Sequence, residues 1–365
     1  MPKQQVLLYG AYGYTGELIA QHAAEWGLRP VLAGRDKTKL VRVAQRFDFD
    51  HRVVNLEDPQ ALQAALQDCA VVIHAAGPFA QTALPMAKAC LETQTHYLDI
   101  TGEIEVFEQL KGLDQQAKAK GIMICPGVGF DVVPTDCLAL LLKKNLPDAT
   151  SLKLAFATLG SSVSHGTATT LVRHLGEPGC CRKDGRLTPI PLGKNSLWVD
   201  FGRKKLFTLS IPWGDLSTAH FTTGIPNIET YMAAPPSLHR ALKWQSLYNP
   251  LLRTSWMRSL IQQRIDQRPP GPAELQRKAA LSLVWGEVSN AQHQKVTARL
   301  SAPEGYTLTY QCALLIALKV LKGNYRTGYQ TPANCYSEEL IAELKDVQRE
   351  INRGNGYQPL HSLAS

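Results

Sequence analysis

In the first third of the chain, apolar residues gather in short runs at positions 6–9, 30–33, 52–54, 71–75, 97–100 and 122–125, and stretches of helical periodicity fill the gaps at 17–26, 37–46, 59–67, 80–92 and 103–120. Such short runs suit strands buried on both faces. The helical stretches, punctuated by Gly or Pro, supply the crossovers that parallel strands need. The alternation predicts an α/β fold, a doubly wound Rossmann domain with a parallel sheet, over residues 1–128.

After Pro126 the rhythm changes. A helix is predicted from about Pro134 through DCLALLLKKN, followed by strand-like stretches at 151–158, 197–201 and 206–211 among polar and Gly/Pro-rich loops. This predicts a second, α+β domain over 129–309, with an antiparallel sheet. The segment 243–266 is amphipathic, with Leu247, Leu251, Trp256, Leu260 and Ile265 set among basic residues, and RPPGPAE breaks it. Further on, YTLTYQCALLIALKVLKG predicts a buried helix stopped by Gly323, and 337–353 an exposed terminal helix.

Composition narrows the class. With 365 residues and 44% hydrophobic content, two domains are expected. No stretch approaches the roughly 20 apolar residues of a membrane-spanning helix. The first strand begins too early to leave room for a signal peptide, so a cytoplasmic location is expected. Cys69, Cys90, Cys125, Cys137, Cys180, Cys181, Cys312 and Cys335 form no C-x-x-C pair, and neither a metal site nor a disulfide framework is expected.

The formal net charge of +8 is concentrated between 236 and 280, where eight basic side chains face only Asp266 and Glu274. Such a patch attracts phosphates, acidic carriers or anionic lipid heads, although an ordinary solvated basic face has the same composition. It carries no nucleic-acid-binding motif, so no nucleic-acid partner is expected. Its leucines and aromatics leave open a membrane-surface contact through 243–266.

Gly10, Gly13 and Gly16 follow the first strand and precede a helix, where a Rossmann fold binds phosphate. Gly10 permits the tight turn, Gly13 lets the backbone approach a pyrophosphate, and Gly16 allows close packing of helix on strand. Tyr12, Tyr14 and Thr15 share that loop. The second strand ends in Gly34 and Arg35, not in the acidic residue that binds a ribose 2′-hydroxyl, and an arginine suits a 2′-phosphate. NADP(H) is the cofactor expected, and Asp36 reads as the cap of the next helix. At the end of the fourth strand, Ala75, Ala76 and Gly77 are small enough for the nicotinamide side of the cofactor to lie close, with Pro78 and Phe79 completing the loop.

In order, GAYGYTG, AGRDKTKL, AAGPF, HYLDITGE, PGVGFDVVPTDCLA, SHGTATTLV and TGIPNIETY make the chain resemble the saccharopine dehydrogenase-like oxidoreductase family, including its trans-acting enoyl reductase branch. The resemblance runs from Gln5 to about Leu340. It implies that a C-terminal helical region, about 310–345, returns to complete the Rossmann domain. It also implies a homodimer formed through the second domain. True saccharopine reductases usually read GxDPGxDH where this chain has GVGFDVVPTD, which argues against saccharopine itself. Arg173, Arg182 and Arg186 are available for an acidic substrate.

The expected activity is NADP-dependent reduction of a C=N or conjugated C=C bond in a small or carrier-bound metabolite. The alternative is a non-catalytic NADP-binding redox sensor, possible because one fold hosts many functions. Asp131, Asp99 and His165 are the catalytic candidates, with Tyr97 and Glu103 beside them. Asp99 and Asp131 end apolar strands, where burial raises a carboxyl pKa toward the range of a proton donor. Helix capping would explain Asp131 and Glu103 equally well. His165 precedes a helix and could orient a substrate carbonyl.

Overall fold

The computed structural model describes residues 3–361. They divide into two compact units, 3–133 with 305–340, and 134–304 with 341–361.

The first unit is built from β1 (Gln5–Tyr9), α1 (Tyr14–Ala23), β2 (Val31–Gly34), α2 (Lys37–Phe47), β3 (His51–Val53), α3 (Pro59–Leu66), β4 (Cys69–His74), α4 (Phe79–Thr93), β5 (His96–Asp99), α5 (Ile104–Lys111), α6 (Asp114–Lys120) and β6 (Met123–Cys125). All pairings are parallel, in the order β3-β2-β1-β4-β5-β6, and the two-residue strand Gly328–Tyr329 extends the sheet beyond β6. Leu7, Leu8, Leu32 and Leu98 are wholly buried, as strands covered on both faces require. The helix Gly305–Leu321 belongs to this unit: His22 stacks on Tyr310 at 4.2 Å and Tyr14 meets Tyr306 edge-on at 5.0 Å. Gly323, at φ +75°, follows its end.

The expected single helix over 103–120 is two helices, α5 and α6, parted at Gly112 and Leu113. Asp114 explains the new start: its carboxylate accepts from the Tyr329 N–H at 2.9 Å and holds Lys118 at 2.7 Å, tying the chain to the added strand.

The second unit carries α7 (Val133–Asn145) from its second residue onward, β7 (Ser151–Leu159) and α8 (His165–Arg173). Among the described residues its sheet has ten strands. β7 lies between Asn227–Ala233, which is parallel to it, and Leu281–Ser289, which is antiparallel; every other pairing is antiparallel. The amphipathic segment 243–266 forms two helices, Gln245–Leu252 and Ser255–Asp266, and the Thr254 hydroxyl caps the second.

The exposed terminal helix expected over 337–353 is a correction. A short turn at Leu340–Glu343 leads to the strand Gln348–Asn352, which pairs with Lys295–Pro303. Leu340, Ile341, Leu344 and Ile351 are buried. A free strand edge offered backbone partners, and that tertiary pairing outweighed a helix-like composition.

Candidate functional site

The strand order reverses between β1 and β4, and ligands of such sheets bind beyond the carboxyl ends of the strands at that point. Gly10 stands there at φ +86°, and a Cβ on it would lie 2.8 Å from Ala76 Cβ. A Cβ on Gly16 would come within 2.2 Å of Gly10 O, so α1 rests directly on the turn. Gly13 occupies the N-cap of α1 and brings no side-chain cap to the helix, whose N-terminus is thus a candidate anion site. A turn whose Gly10 and Gly16 admit no Cβ, ending at a helix N-terminus without a side-chain cap, fits a pyrophosphate.

The end of β2 completes one side. The Tyr12 ring lies where a Gly34 side chain would sit, 2.4 Å from that Cβ position, and its hydroxyl accepts from the Asp36 N–H at 3.3 Å. Asp36 caps α2 by accepting from the Lys39 N–H at 3.0 Å, which lowers its pKa, as does the Lys39 ammonium beside it. Arg35 is exposed between them and makes no ion pair among the described residues. Its guanidinium is therefore available to a phosphate on the ribose.

On the other side, His74 ends β4, wholly buried beside the rings of Tyr9, Phe79 and Tyr97. Burial pushes its pKa down to about 3, so the imidazole is neutral. Thr82 donates its hydroxyl proton to Ala76 O at 2.8 Å, and His74 Nε2 lies 3.0 Å from the Thr82 hydroxyl oxygen. The hydroxyl has its proton committed, so Nε2 carries the imidazole proton and donates it. This chain of bonds holds the Ala75–Gly77 backbone from beneath. The Glu103 carboxylate accepts from the Phe79 N–H at 3.2 Å and thereby caps α4.

Two carboxyls stand beyond β4 in different circumstances: Asp99 ends β5, whereas Asp131, expected at a strand end, lies six residues past β6 in the turn that leads into α7. Asp99 is fully buried, and its Oδ1 accepts from the N–H groups of Thr101 at 3.0 Å and Gly127 at 2.9 Å, while Oδ2 accepts from the Tyr97 hydroxyl at 2.6 Å. Burial pushes its pKa up to about 6 against those stabilising bonds. Asp99 ties two loops together, and Tyr97, wholly buried and held well above its ordinary pKa, is occupied with it. Asp131 is half-buried by exposed area, yet its surroundings desolvate the carboxyl enough to push it up to about 7. A Cβ on Gly102 would lie 2.9 Å from Asp131 Oδ2, so a side chain there would displace the carboxyl.

Residues 6–125 match the family model for the saccharopine dehydrogenase NADP binding domain. That match takes in the strands β1 to β6 of the first sheet. The domain's dinucleotide is NADP(H), in keeping with Arg35 at the end of β2. A trans-acting enoyl reductase of Mycobacterium leprae is 36% identical over 139 residues, 36% of this chain and 33% of that protein. A lipid droplet localized protein of Caenorhabditis elegans is 25% identical over 386 aligned positions, covering 88% of this chain and 90% of that one. The apo saccharopine dehydrogenase (L-Glu forming) of Saccharomyces cerevisiae shares the fold at a TM-score of 0.66 and 13% identity, over 96% of this chain and all of that one. The matched part spans a third to just over half of the first curated relatives. Among the described residues no helix is long and apolar enough to cross a membrane.

The NADP-binding domain brings Gly10, Tyr12, Gly13, Tyr14, Thr15 and Gly16 to the end of β1, Gly34 and Arg35 to β2, and Ala76, Gly77, Pro78 and Phe79 to β4, three neighbouring strands. His165 belongs to the other unit, where it begins α8 and meets the Asp266 carboxylate at 2.8 Å on an exposed surface. Arg182 is buried there, its guanidinium bonded to the backbone oxygens of Leu216 and Gly185. It is thus engaged by the fold. The sequence did not single out His74, Thr82, Gly102 or Gly127 for the NADP-binding domain. A histidine closing an otherwise aliphatic strand was the available signal for His74; Thr82 and Gly102 acquire their meaning only from contacts distant in sequence.

Proposed function

We propose that the protein is an NADPH-dependent reductase that acts on a conjugated C=C or a C=N bond of a small or carrier-bound metabolite. The observation that carries this reading is Asp131, a carboxyl raised to about 7 beyond the strand ends of the same domain that holds the dinucleotide turn. A group with that pKa is protonated often enough to donate and ionised often enough to recover near neutral pH. Bound NADPH supplies the hydride.

The α1 N-terminus would hold the pyrophosphate and Arg35 the 2′-phosphate, while the Thr82–Ala76 bond fixes the loop of small residues that would receive the nicotinamide. Asp131 delivers the proton to the substrate atom that gains negative charge after hydride arrival. Asp99 acts as a positioning residue through its bonds to Thr101 and Gly127. An iminium brings its own proton, whereas an enoyl thioester needs a donor, so an acid at Asp131 favours the C=C reading.

The test is NADPH oxidation with a panel of enoyl thioesters and cyclic imines, using wild type and Asp131→Asn. Turnover of an enoyl substrate that falls about 100-fold in the variant, with NADPH affinity unchanged, is the expected result. Tight NADPH binding without oxidation by any substrate would replace the proposal with the redox-sensing alternative.

A further inference from the structure

An ordinary packing helix buries its leucines and tryptophans and turns its arginines to water. The helices Gln245–Leu252 and Ser255–Asp266 partly invert that rule. Of the eleven exposed large hydrophobic side chains among the described residues, seven lie between 238 and 275. Trp244 is 66% exposed, Leu247 74% and Trp256 65%. Leu251 and Leu260 follow Leu247 and Trp256 by four residues, so each helix carries an apolar ridge along one face.

Polar groups, by contrast, hold the helices down. Gln245 exchanges bonds with the Leu192 backbone, Arg253 Nε donates to Gly176 O at 2.8 Å, and Arg258 donates to Leu175 O at 3.0 Å. Ile265 is buried against Ala168 and Val172, with Ile261 beside it. The inner side is therefore engaged by the rest of the unit, and the ridges are left over. Arg240, Lys243, Arg264 and Arg268 are exposed around them and carry no ion pair among the described residues. Asp266 is held by His165 and Gln262, and Glu274 by Lys278.

We propose that this face docks on an anionic phospholipid surface. The tryptophans and leucines enter the boundary between headgroups and acyl chains, and the free arginines and lysine meet lipid phosphates. Exposed tryptophan beside unpaired cations is the chemistry of that boundary. A second copy of the chain is a poorer occupant, because a two-fold contact would set basic rim against basic rim.

Flotation of the full chain with vesicles of phosphatidylcholine, alone or with about one-third phosphatidylserine, tests this. Wild type is expected to float with the anionic vesicles, and release at ~0.5 M salt is expected because screening removes the electrostatic share. Trp244→Ser/Trp256→Ser should lower the floated fraction at least ~tenfold, and Arg264→Glu/Arg268→Glu should do so on anionic vesicles. Circular dichroism melting curves matching wild type exclude misfolding as the cause, and this readout is independent of NADPH. Wild type that stays with neither vesicle, or a tryptophan variant that floats like wild type, overturns the proposal. So does a wild-type dimer that the tryptophan substitutions convert to monomer without any flotation, since the face would then serve self-association.

Discussion

From β1 to β6 in the first unit, helices join each strand to the next, whereas in the second unit β7 pairs with Leu281–Ser289, more than a hundred residues later. The first arrangement puts every strand's carboxyl end on one edge, so loops collect there and close contacts tighten them. The second closes its sheet through distant antiparallel partners and leaves helices on its surface that no strand crossover demanded. Two helical glycines near their helix starts illustrate the difference. Gly16 touches backbone through its missing Cβ, while the nearest atom to a Cβ on Gly166 in α8 is Ser164 Oγ at 3.9 Å.

That contrast breaks most readily at Gly16. Gly16→Ala is expected to destabilise the chain by about 3 kcal/mol, because the colliding atom is a backbone oxygen that cannot swing aside. Urea denaturation would measure this, and a loss under about 1 kcal/mol would mean that the turn is looser than its geometry. Arg35→Ala should weaken NADPH binding ~10- to 100-fold and leave NADH unchanged, the size of a lost charged hydrogen bond. Equal weakening of both nucleotides in a calorimetric titration would remove Arg35 from the 2′-phosphate role.

Asp131 sharpens the comparison through pH. Its folded pKa, about 7, lies above the ordinary 3.8. Between those values the folded chain binds more protons than the unfolded one, so stability falls as pH rises through the window. Asp131→Asn should therefore gain stability relative to wild type on going from about pH 5 to about pH 7, by at most about 1.4 kcal/mol per pH unit. A shallower slope persists from Asp99, raised to about 6. Identical pH dependence in the two proteins would show that Asp131 is not desolvated.

The smallest effects belong to the second unit. Gly166→Ala should stabilise by less than about 1 kcal/mol, since a glycine in the first turn of α8 gives up backbone entropy for no packing benefit. Removing the exposed His165–Asp266 pair with His165→Ala should cost less than ~1 kcal/mol, and a thermal melt would show it. A larger cost there would mean that α8 depends on this hydrogen-bonded pair more than on the buried Ala168, Val172 and Ile265.

The doubly wound sheet was legible because buried parallel strands and their crossover helices each leave a local pattern in the chain, and the Gly10–Gly16 turn sits inside one such unit. Arg35 was legible for the same reason, being one residue beyond β2. The strands Leu281–Ser289 and Lys295–Pro303 went unnamed, and 337–353 read as helix, because antiparallel partners far apart in sequence impose their pairing from outside the segment. Asp99 and Asp131 looked alike as strand-end carboxyls. The fold separated them, by leaving Asp99 at the end of β5 with three donors and carrying Asp131 past β6 to a desolvated turn beside Gly102. Sequence alone determined which strands alternate with helices and where a phosphate turn begins, since both depend on neighbours along the chain. The folded structure decided which carboxyl is raised toward neutrality and which tryptophans face water, because burial and hydrogen bonding depend on neighbours in space.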